Sequence, residues 1–258
     1  MTVHVEDQNG IRVVTLDRPS ARGAVDGEHA AALVEAFEGL ETSESLRVGV
    51  LTGSAGHFCA GADLKAVAAG TMPVFEPGAG PGPMGPTRLR LTKPVIAAVE
   101  GHAVAGGLEL ALWCDLRVAS QSAIFGVYCR RWGVPLIDGG TIRLARLIGQ
   151  SHALDLVLTG RSVEAEEALR IGLANRVVPA GEALTVALAL AADLAALPQT
   201  CLRQDRLSLL EQWSLTEDDA LANEWRHGMT SLADALDGAA RFVGGAGRHG
   251  AAGGCPPS

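Results

Sequence analysis

At 258 residues, 48% of them hydrophobic, the chain has material for one large or two small domains with a sizeable core. A formal net charge of −8 argues against a nucleic-acid binder, which needs a basic surface to meet phosphates. The longest apolar stretch, residues 186–192, is far short of the ~20 residues of a membrane span, so neither nucleic acid nor membrane is an expected partner.

The start, MTVHVEDQNG, is polar and acidic and shows no leader. The five cysteines are odd in number and lack CxxC spacing. That argues against a disulfide framework or a zinc site and fits a reducing cytosol, so a cytoplasmic protein without a metal is expected.

Residues 2–7 and 11–16, joined by Asn9-Gly10, read as a β-hairpin with a primed turn. The loop RPSARGAVDGE ends near Asp26, placed to cap a helix over 28–40. An apolar strand over 48–51 leads into GSAGHFCAGADLK, where small residues precede the start of a helix. The stretch over 70–86 is rich in Pro and Gly and is long for a loop, which reads as a mobile flap over a pocket or a surface insertion. Gly80 to Gly85 and Gly245 to Gly250 both satisfy G-x-G-x-x-G. Neither follows a strand and opens a helix, so neither is a dinucleotide fingerprint.

The run KPVIAAVEGHAVAGGLELALWCD, residues 93–115, organises the rest. Residues 95–99 read as a strand buried on both faces. Gly101, Gly106 and Gly107 allow a tight turn into a core helix whose free N–H groups suit developing negative charge. Glu109 lies three residues beyond Gly106, so its carboxylate shares a face with the Gly106 N–H. Strands over 115–119 and 123–125 follow, then helices over 140–147, with Asp138 as cap, and 151–158. A turn and helix over 162–169, a strand over 173–178 and amphipathic helices over 184–197, 202–212, 217–227 and 231–243 complete the chain before a low-complexity tail. Alternating strands and helices indicate an α/β fold.

Together FCAGADLK and AVAGGLELALWCD resemble the crotonase, or enoyl-CoA hydratase/isomerase, superfamily. TLDRPSARGAV before them and FGVYCRRWGVPLIDGGTIRLARLIG after them fall in the family's order and spacing. The resemblance covers roughly residues 5–245. It implies a ββα spiral core over residues 1–195 and a C-terminal helical oligomerisation region over 196–258, assembled as a homotrimer or a hexamer of two trimers. It also implies an acyl-CoA thioester substrate and no separate cofactor. The N–H groups of Ala62 and Gly106 would form an oxyanion hole, and Arg22, Ala24, Ala60, Asp63 and Leu64 would contact CoA. Crotonases usually carry asparagine where Gly23 stands, so that part of the CoA loop departs from the pattern.

A CoA thioester reacts at its α or β carbon when its carbonyl oxygen can hold charge as an enolate, and each amide donor contributes about 3 kcal/mol to that. Enoyl-CoA hydratases use two glutamates. One matches Glu109, whereas the other falls at Cys129, whose thiol is no substitute for a carboxylate. Asp138 is the expected replacement acid, with an N-cap role as the equal alternative. Arg130, Arg131 and Trp132 fill mostly apolar places of hydratases, which points to an altered acyl pocket or a subunit contact. His57 and His102 flank the two turns as possible titrating groups or loop histidines. The expected activity is enoyl-CoA hydration. The alternatives are an isomerase, lyase or hydrolase on another CoA ester, or a non-catalytic acyl-CoA binder. No G-x-S-x-G elbow or P-loop occurs.

Overall fold

The computed structural model describes residues 3–245. Strands β1 (Val3–Gln8) and β2 (Ile11–Leu16) form the expected hairpin, with φ +52° at Asn9 and +77° at Gly10, the left-handed pair of a type I′ turn. A 3-10 turn at Pro19–Ala21 leads to α1 (Gly27–Thr42). Asp26 caps this helix as expected, accepting from the N–H groups of Glu28 and His29 at 3.1 Å. Next come β3 (Val48–Gly53), α2 (Leu64–Ala68), β4 (Val95–Val99), β5 (His102–Val104), α3 (Gly106–Trp113), β6 (Leu116–Ser120) and β7 (Ile124–Gly126). The chain continues through α4 (Gly140–Thr159), β8 (Ser162–Glu164), α5 (Ala165–Arg170) and β9 (Arg176–Val178). Helices α6 (Ala183–Ala195), α7 (Gln199–Glu211), α8 (Glu217–Thr230) and α9 (Leu232–Val243) follow. The two helices expected over 140–158 are one run broken at Gly149, whose φ is +78°.

One sheet has the order β1-β2-β3-β4-β6-β9, parallel except for the hairpin; a smaller one has the order β5-β7-β8. Side chains alternate across a strand, so the large sheet feeds two cores. Val48 and Val50 of β3 and Ile96 and Ala98 of β4 meet Ala187, Leu190 and Ala191 of α6 on one face. Leu51, Val95, Ala97 and Val99 face the other way, into the core that holds Leu33 and Phe37 of α1 and Leu108 and Leu110 of α3. Being buried on both faces is why β4 is a continuous apolar run. Arg117, 1% exposed, donates to the carbonyls of Ala111 and Cys114 at 3.2 and 2.8 Å. It thereby satisfies the C-terminal carbonyls of α3 and fixes that helix against the sheet.

Past α6, helices α7 and α8 pack on each other, and Arg206 ties α7 to the core by pairing with Asp115 at 2.9 Å. Leu221, Trp225, Leu236 and Phe242 are exposed on these helices. The Pro/Gly-rich segment has no helix or strand over 70–85, as expected, but it is tied down. Arg88 donates to the carbonyls of Phe75 at 2.7 Å, Pro81 at 3.3 Å and Ile137 at 3.4 Å. Among the described residues no single helix is long and apolar enough to cross a membrane. Most of the low-complexity tail, including Cys255 and the Gly245 to Gly250 motif beyond its first glycine, lies outside the described residues.

Candidate active site

Two backbone bends meet at the mouth of α3. The first, at 59–63, is stitched on both sides. Cys59 N–H donates to His102 O at 2.8 Å and Val104 N–H to Cys59 O at 3.1 Å, while Val25 N–H donates to Gly61 O at 2.8 Å and Asp63 N–H to Val25 O at 2.7 Å. The second bend is Ala105, which has φ +52° and precedes the first helical residue, Gly106, without any side-chain cap. The bends touch: a Cβ built on Gly61, itself at φ +97°, would lie 2.9 Å from Gly106 N. Ala62 and Gly106 line the same cavity, of about 620 Å³, and neither N–H donates to an acceptor among the described residues. Uncapped amides beside a cavity are ready donors for an anionic oxygen.

Glu109, 2% exposed, lies one turn into α3 and lines that cavity. Its Oε1 accepts from Asp138 N–H at 2.9 Å and Gly140 N–H at 2.8 Å. Burial pushes its pKa up to about 7; the charge of Asp138 adds to this, against the two amides and Arg143. Asp138, 3% exposed, also lines the cavity, and its Oδ1 accepts from Met84 N–H at 3.1 Å and Thr87 Oγ1 at 2.5 Å. Burial raises its pKa too, opposed by Thr87, Met84, Arg88 and Arg143. The N-cap alternative for Asp138 is overturned. Gly139, at φ +91°, is the cap residue of α4, and the side chain that reaches the helix amides is Glu109 from α3. Asp138 instead anchors the 70–86 segment. D138A would strand two buried donors, each costing about 1–3 kcal/mol. In urea unfolding D138A should therefore lose more stability than D138N, whose amide oxygen still accepts; equal losses would show that these contacts are not what holds the segment.

Cys129 lines the cavity, 6% exposed, and burial together with the Glu109 charge raises its pKa, so it stays a neutral thiol. His102 also lines it; its Nδ1 is 3.3 Å from His57 Nδ1, and burial lowers its pKa. Trp132 is on the cavity wall, whereas Arg130 and Arg131 point elsewhere, donating to Val157 O and Gly160 O at 3.0 Å. With Leu64, Val67, Val104 and Val134 on the wall, the cavity is mainly apolar.

Of the residues expected at CoA, Arg22, Ala60 and Leu64 line the cavity. Ala24 and Asp63 do not. The Ala24 carbonyl accepts from Arg18 Nη1 at 3.0 Å, and Asp63 caps α2 through Lys65 N–H at 2.8 Å while pairing with Arg18 at 2.7 Å. Both hold the scaffold, because the free N–H groups at the start of α2 require a cap and Arg18 requires counter-charges. Gly23 sits at φ +69°, and a Cβ there would meet Phe58 O at 2.9 Å, so a side chain at this bend would crowd the 58–59 backbone. Arg143, Thr87 and Met84 were not expected at the site. A Cβ on Gly106 would meet Met84 Sδ at 2.5 Å, so the space over that glycine is already bounded by the 70–86 segment. Among the described residues, no three His, Cys, Asp or Glu converge as metal ligands.

Residues 6–243 match the sequence profile described as Enoyl-CoA hydratase/isomerase. Enoyl-CoA hydratase EchA19 of Mycobacterium tuberculosis is 41% identical over 171 residues, 64% of this chain and 63% of its own. (E)-benzylidenesuccinyl-CoA hydratase of Thauera aromatica is 39% identical over 169 residues, 65% of this chain and 66% of its own. The alignments thus span just under two thirds of the length of these relatives. The crystal structure of enoyl-CoA hydratase from Mycobacterium tuberculosis H37Rv superposes with a TM-score of 0.88 at 37% identity, covering 94% of this chain and 95% of that one. With the profile spanning nearly the whole chain and the fold shared over 94% of it, this protein belongs to the enoyl-CoA hydratase/isomerase family.

Proposed function

We propose that the chain is an enoyl-CoA hydratase, adding water across the C2=C3 bond of 2-enoyl-CoA esters. The observation that carries it is the pair of unpartnered amides at Ala62 and Gly106 in one cavity with Glu109 and Asp138. The thioester oxygen accepts from both amides and holds the charge of the enolate. Glu109, ionised, takes a proton from water as the water oxygen bonds to C3. In the reactive form the one proton that the pair shares is on Asp138, which gives it to C2. The pair ends with the single proton it began with, moved from one carboxyl to the other, and its return resets the site. Water addition is redox-neutral, so the proposal includes no cofactor beyond the CoA of the substrate. The two hydratase relatives support this reading.

A cytoplasmic location and a trimeric or hexameric assembly through the exposed faces of α7 to α9 are parts of the same proposal. The second reading, isomerisation of a 3-enoyl to a 2-enoyl ester, is favoured by Cys129, since moving a proton within the substrate needs only one carboxylate. Steady-state assays with 2-enoyl and 3-enoyl-CoA esters of matched length decide between them. Hydration of the 2-enoyl ester, lost in D138N, supports the first; double-bond migration that survives in D138N supports the second.

Arg22 is the cavity cation whose guanidinium has no partner among the described residues. R22A should raise KM about tenfold or more, the loss of one charge-assisted hydrogen bond to a CoA phosphate, with kcat nearly unchanged. The difference should shrink at high salt. An unchanged KM would remove Arg22 from the CoA site.

A further inference from the structure

Arg143 lies in the first turn of α4, beyond the glycine pair at 139–140. Its Nη1 donates to Asp138 O at 2.7 Å and its Nη2 to Thr87 O at 2.6 Å. One planar fork therefore ties the residue whose amide holds Glu109 to the segment whose Met84 and Thr87 hold Asp138. A Cβ on Gly139 would run into Arg143 Nη1, so the left-handed glycine is what lets the guanidinium reach this place.

We propose that Arg143 is a positioning residue that locks this fork and supplies the positive charge that keeps the Glu109–Asp138 pair at one proton instead of two. The charge count is simple. Two buried carboxylates beside one guanidinium carry −1 when both are ionised, and a single proton makes the group neutral. Without the guanidinium two protons are needed, and the pair then has no base to offer.

The other groups facing the pair or Arg143 do not supply this. Cys129, from the turn at Tyr128–Trp132, and Cys114, at the end of α3, are buried neutral thiols. Arg88 acts on Asp138 but is turned to the carbonyls of the 70–86 segment, and Arg146, next to Arg143 on α4, lies over the Trp213 ring at 4.8 Å. Among these groups Arg143 is the cation that acts on both carboxylates.

The proposal rests on Glu109 being the base of the proposed hydration, and two readouts separate the two ideas. The first is kcat/KM against pH for wild type, R143Q and R143K with a 2-enoyl-CoA ester. R143Q should move the acid limb up by about one pH unit, a roughly tenfold loss on that limb that is recovered at higher pH. R143K keeps the charge and should keep the limb, while the lost fork to Thr87 raises KM. The second readout is a carbon-13 carboxyl titration of Glu109 in the free wild type and variants, which needs no turnover. An upward shift of that titration in R143Q alone supports the charge role, even if turnover proves independent of Glu109. A Glu109 titration unchanged in R143Q, or shifted as far in R143K, overturns the proposal; so does an activity loss that is equal at every pH and follows the fall in Tm. If R143Q does not fold, R143K with an altered acid limb is sufficient to reject it.

Discussion

E109Q should lower kcat/KM by about 10² to 10⁴, the usual contribution of a positioned acid/base group, while leaving CoA-ester binding nearly intact. The glutamine oxygen can still accept from Asp138 N–H and Gly140 N–H, so the start of α4 stays capped and the loss reports chemistry, not collapse. The same variant should be more stable than wild type in alkali. Glu109 rises from 4.5 in the unfolded chain to about 7 in the fold, so the folded state keeps a proton that the unfolded chain releases in between. That contribution to stability is complete below pH 4.5 and is lost as pH climbs through 7. At pH 8 an amide, which never ionises, should therefore gain up to about 3 kcal/mol in unfolding experiments, and the gain should vanish near pH 4. If E109Q were as active as wild type, the proposed hydration would have to be abandoned.

G107A should damage the fold, whereas G106A should damage the reaction. A Cβ on Gly107 would overlap the Cys59 carbonyl oxygen and come within 2.7 Å of its carbon, so the helix start and the 59–63 bend would have to separate. Such overpacking of backbone on backbone costs about 3 kcal/mol or more, roughly 10 °C in Tm for a chain of this size. The three atoms nearest a Cβ on Gly106 all belong to the flexible end of Met84, its Sδ, Cγ and Cε. That side chain can turn away, so G106A should unfold near the wild-type temperature. It should still lose turnover, because the methyl and the displaced thioether occupy the space beside the Gly106 amide. Similar melting temperatures for G107A and wild type would show that the two bends are not held in contact.

Much of this was legible because it depends on neighbours in sequence. Asn9-Gly10 fixes the hairpin, Asp26 caps α1, and the apolar run at 95–99 is a strand buried on both sides. Glu109 is one turn from Gly106 wherever a helix starts there. β5 was not foreseen, because three residues after a glycine carry no period. It exists through its pairing with β7 and its bridge to Cys59. The aspartates show the same division: the cap formed by Asp26, which bonds two and three residues on, is visible in the sequence, whereas the pairing of Asp63 with Arg18, 45 positions away, is not.

By itself the amino-acid order determined most of the helices and strands, the two glycine bends and the presence of an acid one turn beyond the second. Turn, cap and periodicity energies act over a few residues and are written locally. Only the tertiary structure decided that the bends touch, that Glu109 caps α4, and that Asp138 clamps the 70–86 segment with Arg143 beside it. Apart from the Arg143 bond to Asp138, five positions away, those contacts join residues 31 to 56 positions apart. Their reality depends on which buried donor and acceptor are left for each other once the cores have closed, and no local pattern encodes that.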